Sequence, residues 1–206
     1  MTSDASNVPE LDAAQVDEAG RVLAHAFFDD PMVMHVVPDA EKRRRHLPWF
    51  YRLAARYSHP YGASYTTAHQ VEGAALWLPP GDTMTSTLRM VRLGMLLGAF
   101  KFGLPTFMRF VKLSDHLEGL HRRDVPPDHW YLFMLGVEPA RQGQGVGSAL
   151  IQPVLERADR DGLPCYLETT KERNLAFYGK HGFQVVLEGR FGASPPYWTM
   201  KRDPIG

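Results

Sequence analysis

An apolar run without a charge, Trp130 to Val137, leads through Glu138-Pro139-Ala140 into Arg141-Gln142-Gly143-Gln144-Gly145-Val146-Gly147, and apolar residues then recur at helical spacing. Such a run predicts a strand buried on both faces, so the rest of the chain must supply sheet neighbours and covering layers. Glycines at alternate positions let the backbone approach a ligand closely, because no Cβ stands in the way. The helix that follows turns its free N–H groups and the positive end of its dipole toward the same point, so an anion is expected there.

The other elements arrange themselves around this junction. A first helix is expected over Asp12–Phe28, with Val16, Ala19, Val22, Leu23, Ala26 and Phe27 on one face, and Asp29-Asp30-Pro31 stops it. Asp39 caps a second through about Ser58, which Pro48 bends or delays. Short strands near Ala63–Thr67 and Gly73–Leu78 precede a helical insert at about 84–123. Within it, Arg89, Arg92, Lys101 and Arg109 interrupt the apolar stretch Leu88 to Phe110 and Gly103-Leu104-Pro105 breaks it, so two amphipathic helices are expected rather than a membrane span.

Beyond the glycine loop come a helix to about Arg160 with Pro153 inside it, a strand Cys165–Thr169, and a short helix to about His181. Thr169-Thr170-Lys171-Glu172 has capping-box spacing for that helix. Phe183–Glu188 and Tyr197–Lys201 read as the last strands. The fold class is α+β: a mixed, twisted sheet of six to seven strands flanked by helices, three layers in all. Residues 11–206 are expected to form a single domain behind a flexible arm at 1–10.

Composition excludes several classes. Lys and Arg number 23 against 23 Asp and Glu, so no global field recruits nucleic acid or an anionic membrane, and neither is an expected partner. The lone Cys165 forms no intrachain disulfide, and MTSDASNVPE lacks the features of a signal peptide, so a cytoplasmic location is expected. The nine histidines show no metal-ligand spacing, and Cys165 has no histidine at a recognisable interval that would make it a nucleophile. The methionine-rich insert either covers a pocket or forms an interface, which leaves a homodimer open.

Three phosphate sites compete for the loop. A nucleotide-binding P-loop requires Lys-Ser/Thr after the last glycine, whereas Gly147 is followed by Ser148-Ala149. A dinucleotide fingerprint requires a third glycine where Ser148 or Leu150 stands, although Glu168 occupies the place of its acidic residue. The third candidate is the pyrophosphate of coenzyme A. Val137 to Gly147 resembles the V-x-P-x-x-(R/Q)-x-x-G-x-G/A signature of the GNAT superfamily of N-acetyltransferases, and Asn174 to Phe183 is similar to its second segment, N-x-x-x-x-Y-x-x-x-G-F. More narrowly, residues 136–182 resemble puromycin N-acetyltransferase-like members, through Gly147-Ser148-Ala149, Pro153, Leu167-Glu168-Thr169 and Arg173-Asn174-Leu175. The N-terminal half departs further, with Asp29-Asp30-Pro31 in place of Asp-Tyr-Pro.

The resemblance implies the GNAT, or acyl-CoA N-acyltransferase, fold, with acetyl-CoA as cosubstrate and no metal. Cofactor contacts fall on Leu135, Val137, Gln142, Gly143, Gln144, Gly145, Val146, Gly147, Ser148, Asn174 and Tyr178. The loop amides are expected to form a nest for the pyrophosphate, and Gly136 to ease a bulge in the strand that receives the pantetheine. By the same resemblance Asn174 bonds the pantetheine and Tyr178 points at the thioester sulfur, where a protonated phenol can serve a departing thiolate. Glu168, at the carboxyl end of its strand, is the candidate general base, acting directly or through a water; Asp29 and Asp30 read as turn residues. The expected activity is acetyl transfer to a primary amine of an antibiotic- or aminonucleoside-like small molecule. Acetylation of a protein N-terminus or lysine, and non-catalytic acyl-CoA sensing, are the alternatives.

Overall fold

A computed structural model describes residues 8–205. Its sheet has six strands, β1 (Tyr65–Thr66), β2 (Gly73–Leu78), β3 (Trp130–Val137), β4 (Cys165–Thr169), β5 (Gln184–Gly189) and β6 (Tyr197–Arg202), in the order β1-β2-β3-β4-β6-β5. Neighbours run antiparallel except β3 and β4. That parallel pairing covers Trp130 with Cys165 and Tyr131 with Tyr166 and then stops. Beyond these pairs the two strands separate, and the facing backbone edges border a gap.

Two apolar layers close the sheet. On one face lie α1 (Val16–Ala26), α2 (Pro31–Val36), α3 (Ala40–Ser58) and the series α4 (Thr87–Arg92), α5 (Leu97–Phe102) and α6 (Leu104–Asp124). On the other lie α7 (Val146–Asp161) and α8 (Arg173–Lys180). Alternation along β2 follows the pleat: Ala74 and Leu76 join the first cluster, Ala75 and Trp77 the second. In β3 the phase changes. Trp130 and Leu132 belong to the α7 side, and so do Leu135 and Val137, because Leu76 pairs with Met134 and Trp77 with Leu132, leaving Phe133 as an extra residue.

That bulge corrects the expectation placed on Gly136. Its backbone instead lies against α1, where a Cβ would stand 2.8 Å from Leu23 Cδ2. Other differences are local. α1 ends at Ala26, and Asp30 caps the next helix, accepting from the Met32 and Val33 N–H groups with Pro31 in the first turn, so α2 follows where only a stop was expected. The insert holds three helices, because Gly94 (φ 99°) as well as Gly103 (φ 87°) interrupts it. Both α3 and α7 continue through their prolines.

Residues 1–7 of the expected arm lie outside the described residues. From Pro9 onward the chain is tied to the sheet edge, since the Pro9 carbonyl accepts from Thr66 N–H (3.1 Å) and Leu11 N–H donates to Ser64 (2.7 Å). No helix among the described residues is long and apolar enough to cross a membrane.

Candidate active site

The glycine loop connects the end of β3 to α7. Gly143 (φ 77°) and Gly145 (φ 83°) are left-handed, and a Cβ on either would meet nothing within 4 Å, so backbone angle rather than crowding requires glycine there. The Gln142 and Gln144 side chains fold back onto the carbonyls of Val137 (3.0 Å) and Ala140 (3.1 Å), bracing the loop. Gly145 begins α7 without a side-chain cap. The first N–H groups of the helix are therefore left for a ligand, as a pyrophosphate site demands. Gly147 packs on Phe177 of α8, where a Cβ would come within 3.3 Å of the ring, and the Ser148 hydroxyl hydrogen-bonds His181 Nε2 at 2.9 Å.

The gap between β3 and β4 opens into a cavity of about 930 Å3. Leu135, Val137, Gln142, Gly143, Gly145, Gly147, Ser148, Glu168, Asn174 and Tyr178 all line it. Two expected contacts do not: the Val146 side chain is buried in the core, and Gln144 is turned onto Ala140. Their backbone remains part of the loop. Asn174 donates to Thr169 Oγ1 (2.9 Å), so that hydroxyl orients the asparagine rather than capping α8, whose first turn carries no side-chain cap.

The far end of the cavity is aromatic. Phe27 stacks on Tyr51 at 5.1 Å, Phe50 meets Phe110 edge-on at 5.2 Å, and Trp49, Phe133 and Tyr197 complete the wall. Two carboxylates reach this space. Asp30 is committed to the α2 cap and to a hydrogen bond from Thr170 Oγ1 (2.7 Å). Glu168 accepts one from the Tyr131 hydroxyl at 2.8 Å, and burial pushes its carboxyl up to about 7. A carboxylate with that value is half-ionised at neutral pH, which suits a general base.

Burial also raises the Tyr178 phenol well above the usual tyrosine range, so it remains a donor at neutral pH. The Cys165 thiol, buried in β4, is pushed up to about 12 and is no nucleophile. Among the described residues, no group of three or more His, Cys, Asp or Glu could hold a metal ion. Burial lowers Lys171, which lines the cavity near Asp30.

Comparison with known proteins fits this geometry. The model of the acetyltransferase (GNAT) family matches residues 106–183, which span β3, the glycine loop, α7, β4 and α8. An uncharacterized N-acetyltransferase of Schizosaccharomyces pombe is 28% identical over 94% of this chain and 82% of its own length. The segment from α6 to α8 is thus similar to GNAT acetyltransferases. The likeness in fold extends beyond that segment: a Corynebacterium glutamicum structure described as histone acetyltransferase HPA2 and related acetyltransferase superposes with a TM-score of 0.67 at 22% identity, covering 97% of each chain. The Drosophila melanogaster polyamine N-acetyltransferase gives 0.57 at 16% identity, covering 96% of this chain and 99% of that one. The N-alpha-acetyltransferase RimI of Mycobacterium tuberculosis is 40% identical over 86 residues, 38% of this chain and 52% of that protein. Acetyl-CoA is the donor of GNAT enzymes, and the open, uncapped start of α7 fits it.

Sequence reasoning missed Tyr131 and the second role of Asp30. Tyr131 was visible only as one apolar residue in a buried strand. Its hydroxyl acquires meaning from the β3–β4 register, which no local pattern encodes.

Proposed function

We propose that this protein is a GNAT enzyme that transfers acetyl from acetyl-CoA to the primary amine of a small molecule with an aromatic or otherwise apolar body, antibiotic- or aminonucleoside-like in character. The observation that carries the reading is that Tyr178 and Glu168 open into one cavity, with the glycine loop at one end and aromatic walls at the other. The backbone amides of 142–147 and the start of α7 would hold the pyrophosphate. The free edge of β3 at Leu135 and Val137, with Asn174, would hold the pantetheine.

In this reading Glu168 accepts the proton of the acceptor's ammonium group. The amine nitrogen attacks the thioester carbonyl carbon, the carbon–sulfur bond breaks, Tyr178 donates its hydroxyl proton to the departing thiolate, and the proton shed by the acylated nitrogen restores the phenol while Glu168 releases its own to solvent. Backbone N–H groups beside the Phe133 bulge are the donors for the developing oxyanion. Attack is direct, since Cys165 is buried and protonated. The resemblance of residues 136–182 to puromycin N-acetyltransferase-like members supports puromycin as the first acceptor to try. The lone buried Cys165 supports a cytoplasmic location. The exposed side chains of Leu96, Leu97, Phe100 and Leu104 support pairing of two copies on that face, which sedimentation equilibrium tests.

A thiol-release assay over puromycin, arylalkylamines, polyamines, aminoglycosides and peptides tests the function. We expect turnover with aromatic primary amines, rising with pH as Glu168 ionises near 7. Tyr178→Phe should lower the rate at least about tenfold while acetyl-CoA affinity is unchanged. Preference for peptides would favour protein acetylation. Binding of acetyl-CoA with no acetylation of any amine would leave a sensor.

A further inference from the structure

Behind Glu168 lies a buried polar cluster that the proposed reaction does not use. Along β4, Tyr166 and Glu168 point to the same face, toward α6. In the register of β4 with β6, Glu168 stands opposite Thr199, so their side chains are neighbours on that face. Thr199 donates to Asp124 Oδ2 at 2.7 Å, and the Tyr166 hydroxyl reaches the same oxygen at 3.5 Å. Asp124 is the last residue of α6, its side chain is 2% exposed, and its outer oxygen is held by Arg123 at 2.6 Å. On the other side, the Tyr131 hydroxyl donates to Glu168.

We infer that Tyr131 and Asp124 are opposed positioning residues for Glu168, Tyr131 holding its carboxylate through a donated hydrogen bond and Asp124 crowding it with like charge. The inference rests on the proposed role of Glu168 as base. Hydrogen bonding to a carboxylate favours its ionised form, whereas a neighbouring negative charge disfavours it, so the two act with opposite sign on one proton. The effects on Glu168 run in these directions, after burial as the largest cause, and a backbone hydrogen bond at Glu168 itself adds a smaller lowering.

The surrounding groups leave the balance to this pair. From α6, Glu118 lies toward Tyr131, and His121 stacks on Tyr166 at 4.4 Å. His121 shares a hydrogen bond with His129 (2.6 Å), whose Nδ1 meets the Pro126 carbonyl (2.6 Å). Burial lowers both histidines, His121 to about 3, so both stay neutral near pH 7. From β6, Tyr197 is bonded to His116. In the cavity, Asp30 and Lys171 face each other.

The test is a carbon-13 NMR titration of the full chain labelled at glutamate side-chain carboxyls, the Glu168 signal being the one lost in Glu168→Gln. Tyr131→Phe should move its midpoint up, and Asp124→Asn should move it down, each by about one pH unit. Asn retains an oxygen for Thr199 and Tyr166. Thermal melting and acetyl-CoA titration report whether each variant is folded. If either is not, 3-fluorotyrosine placed at position 131 strengthens the donor without changing shape, and a downward midpoint is then expected. Midpoints that stay put or move in the same direction overturn the inference. The acid limb of kcat/KM for puromycin, or for the best amine of the panel, should follow the NMR midpoints. Opposed midpoints that this limb ignores would support the pairing and overturn Glu168 as base.

Discussion

At Gly136 a Cβ would lie 2.8 Å from Leu23 Cδ2 and 3.0 Å from Ala26 Cβ, so β3 and α1 reach their separation because a side chain is missing. Valine at this position must push α1 away or force off-rotamer side chains. Gly136→Val is expected to destabilise the protein by about 1–3 kcal/mol, measured as a lower urea midpoint with unchanged slope. An unchanged midpoint would mean that α1 shifts freely. The need for glycine at 136 was legible in the sequence, but its cause was not. A bulge is a property of two strands, and the one at Phe133 depends on how β2 pairs with β3. The same holds for Glu168: its place at a strand end was legible, whereas its hydroxyl partner on β3 was not. By contrast, the places of Gly143, Gly145, Asn174 and Tyr178 on the cavity wall were legible because each is set by one continuous segment.

Among the elements, β6 and α7 are joined by a partly buried ion pair. Arg202, with its side chain 4% exposed, makes a two-pronged contact to Asp159, both bonds 2.7 Å, and Asp159 also accepts from Ile205 N–H at 2.8 Å. Hydrogen bonds from Arg202 are the largest cause holding the Asp159 carboxyl below its usual value. The sign follows from linkage. A carboxylate favoured in the folded state contributes stability above its unfolded pKa of about 4, and that stability is lost as pH falls through the lower folded value. Asp159→Asn should therefore cost about 1–3 kcal/mol at pH 7, and its stability should fall less steeply than the wild type's below about pH 4. Chemical denaturation at pH 7, 4 and 3 checks this, and parallel curves would remove Asp159 from the acid limb. Element boundaries were legible where a local signal fixed them, as at Trp130–Val137 and Cys165–Thr169. They failed where a short helix follows directly on a turn, as α2 follows Asp30.

Over the whole molecule, 23 basic residues balance 23 acidic ones, so any attraction for a charged ligand is local. Around the cavity the charges are divided by end. Arg173 and Lys180 stand on α8 beside the glycine loop, where Arg141 is already paired with Glu72 at 3.0 Å, whereas Lys171 lies near Asp30. The acceptor side is aromatic, with Glu168 as its carboxylate outside the α2 cap. Arg173 and Lys180 are exposed, so salt should screen their pull on the phosphates of acetyl-CoA. An aromatic amine bound by ring contacts and one enclosed carboxylate should be screened much less. Raising ionic strength from about 50 to 500 mM shortens the screening length roughly threefold, and the KM for acetyl-CoA should rise about 3–10-fold. The acceptor KM should change less than about twofold over the same range. Lys180→Gln should flatten the acetyl-CoA dependence and leave that of the acceptor alone. Equal salt slopes for the two substrates would mean that the cavity does not divide its charge as its lining indicates.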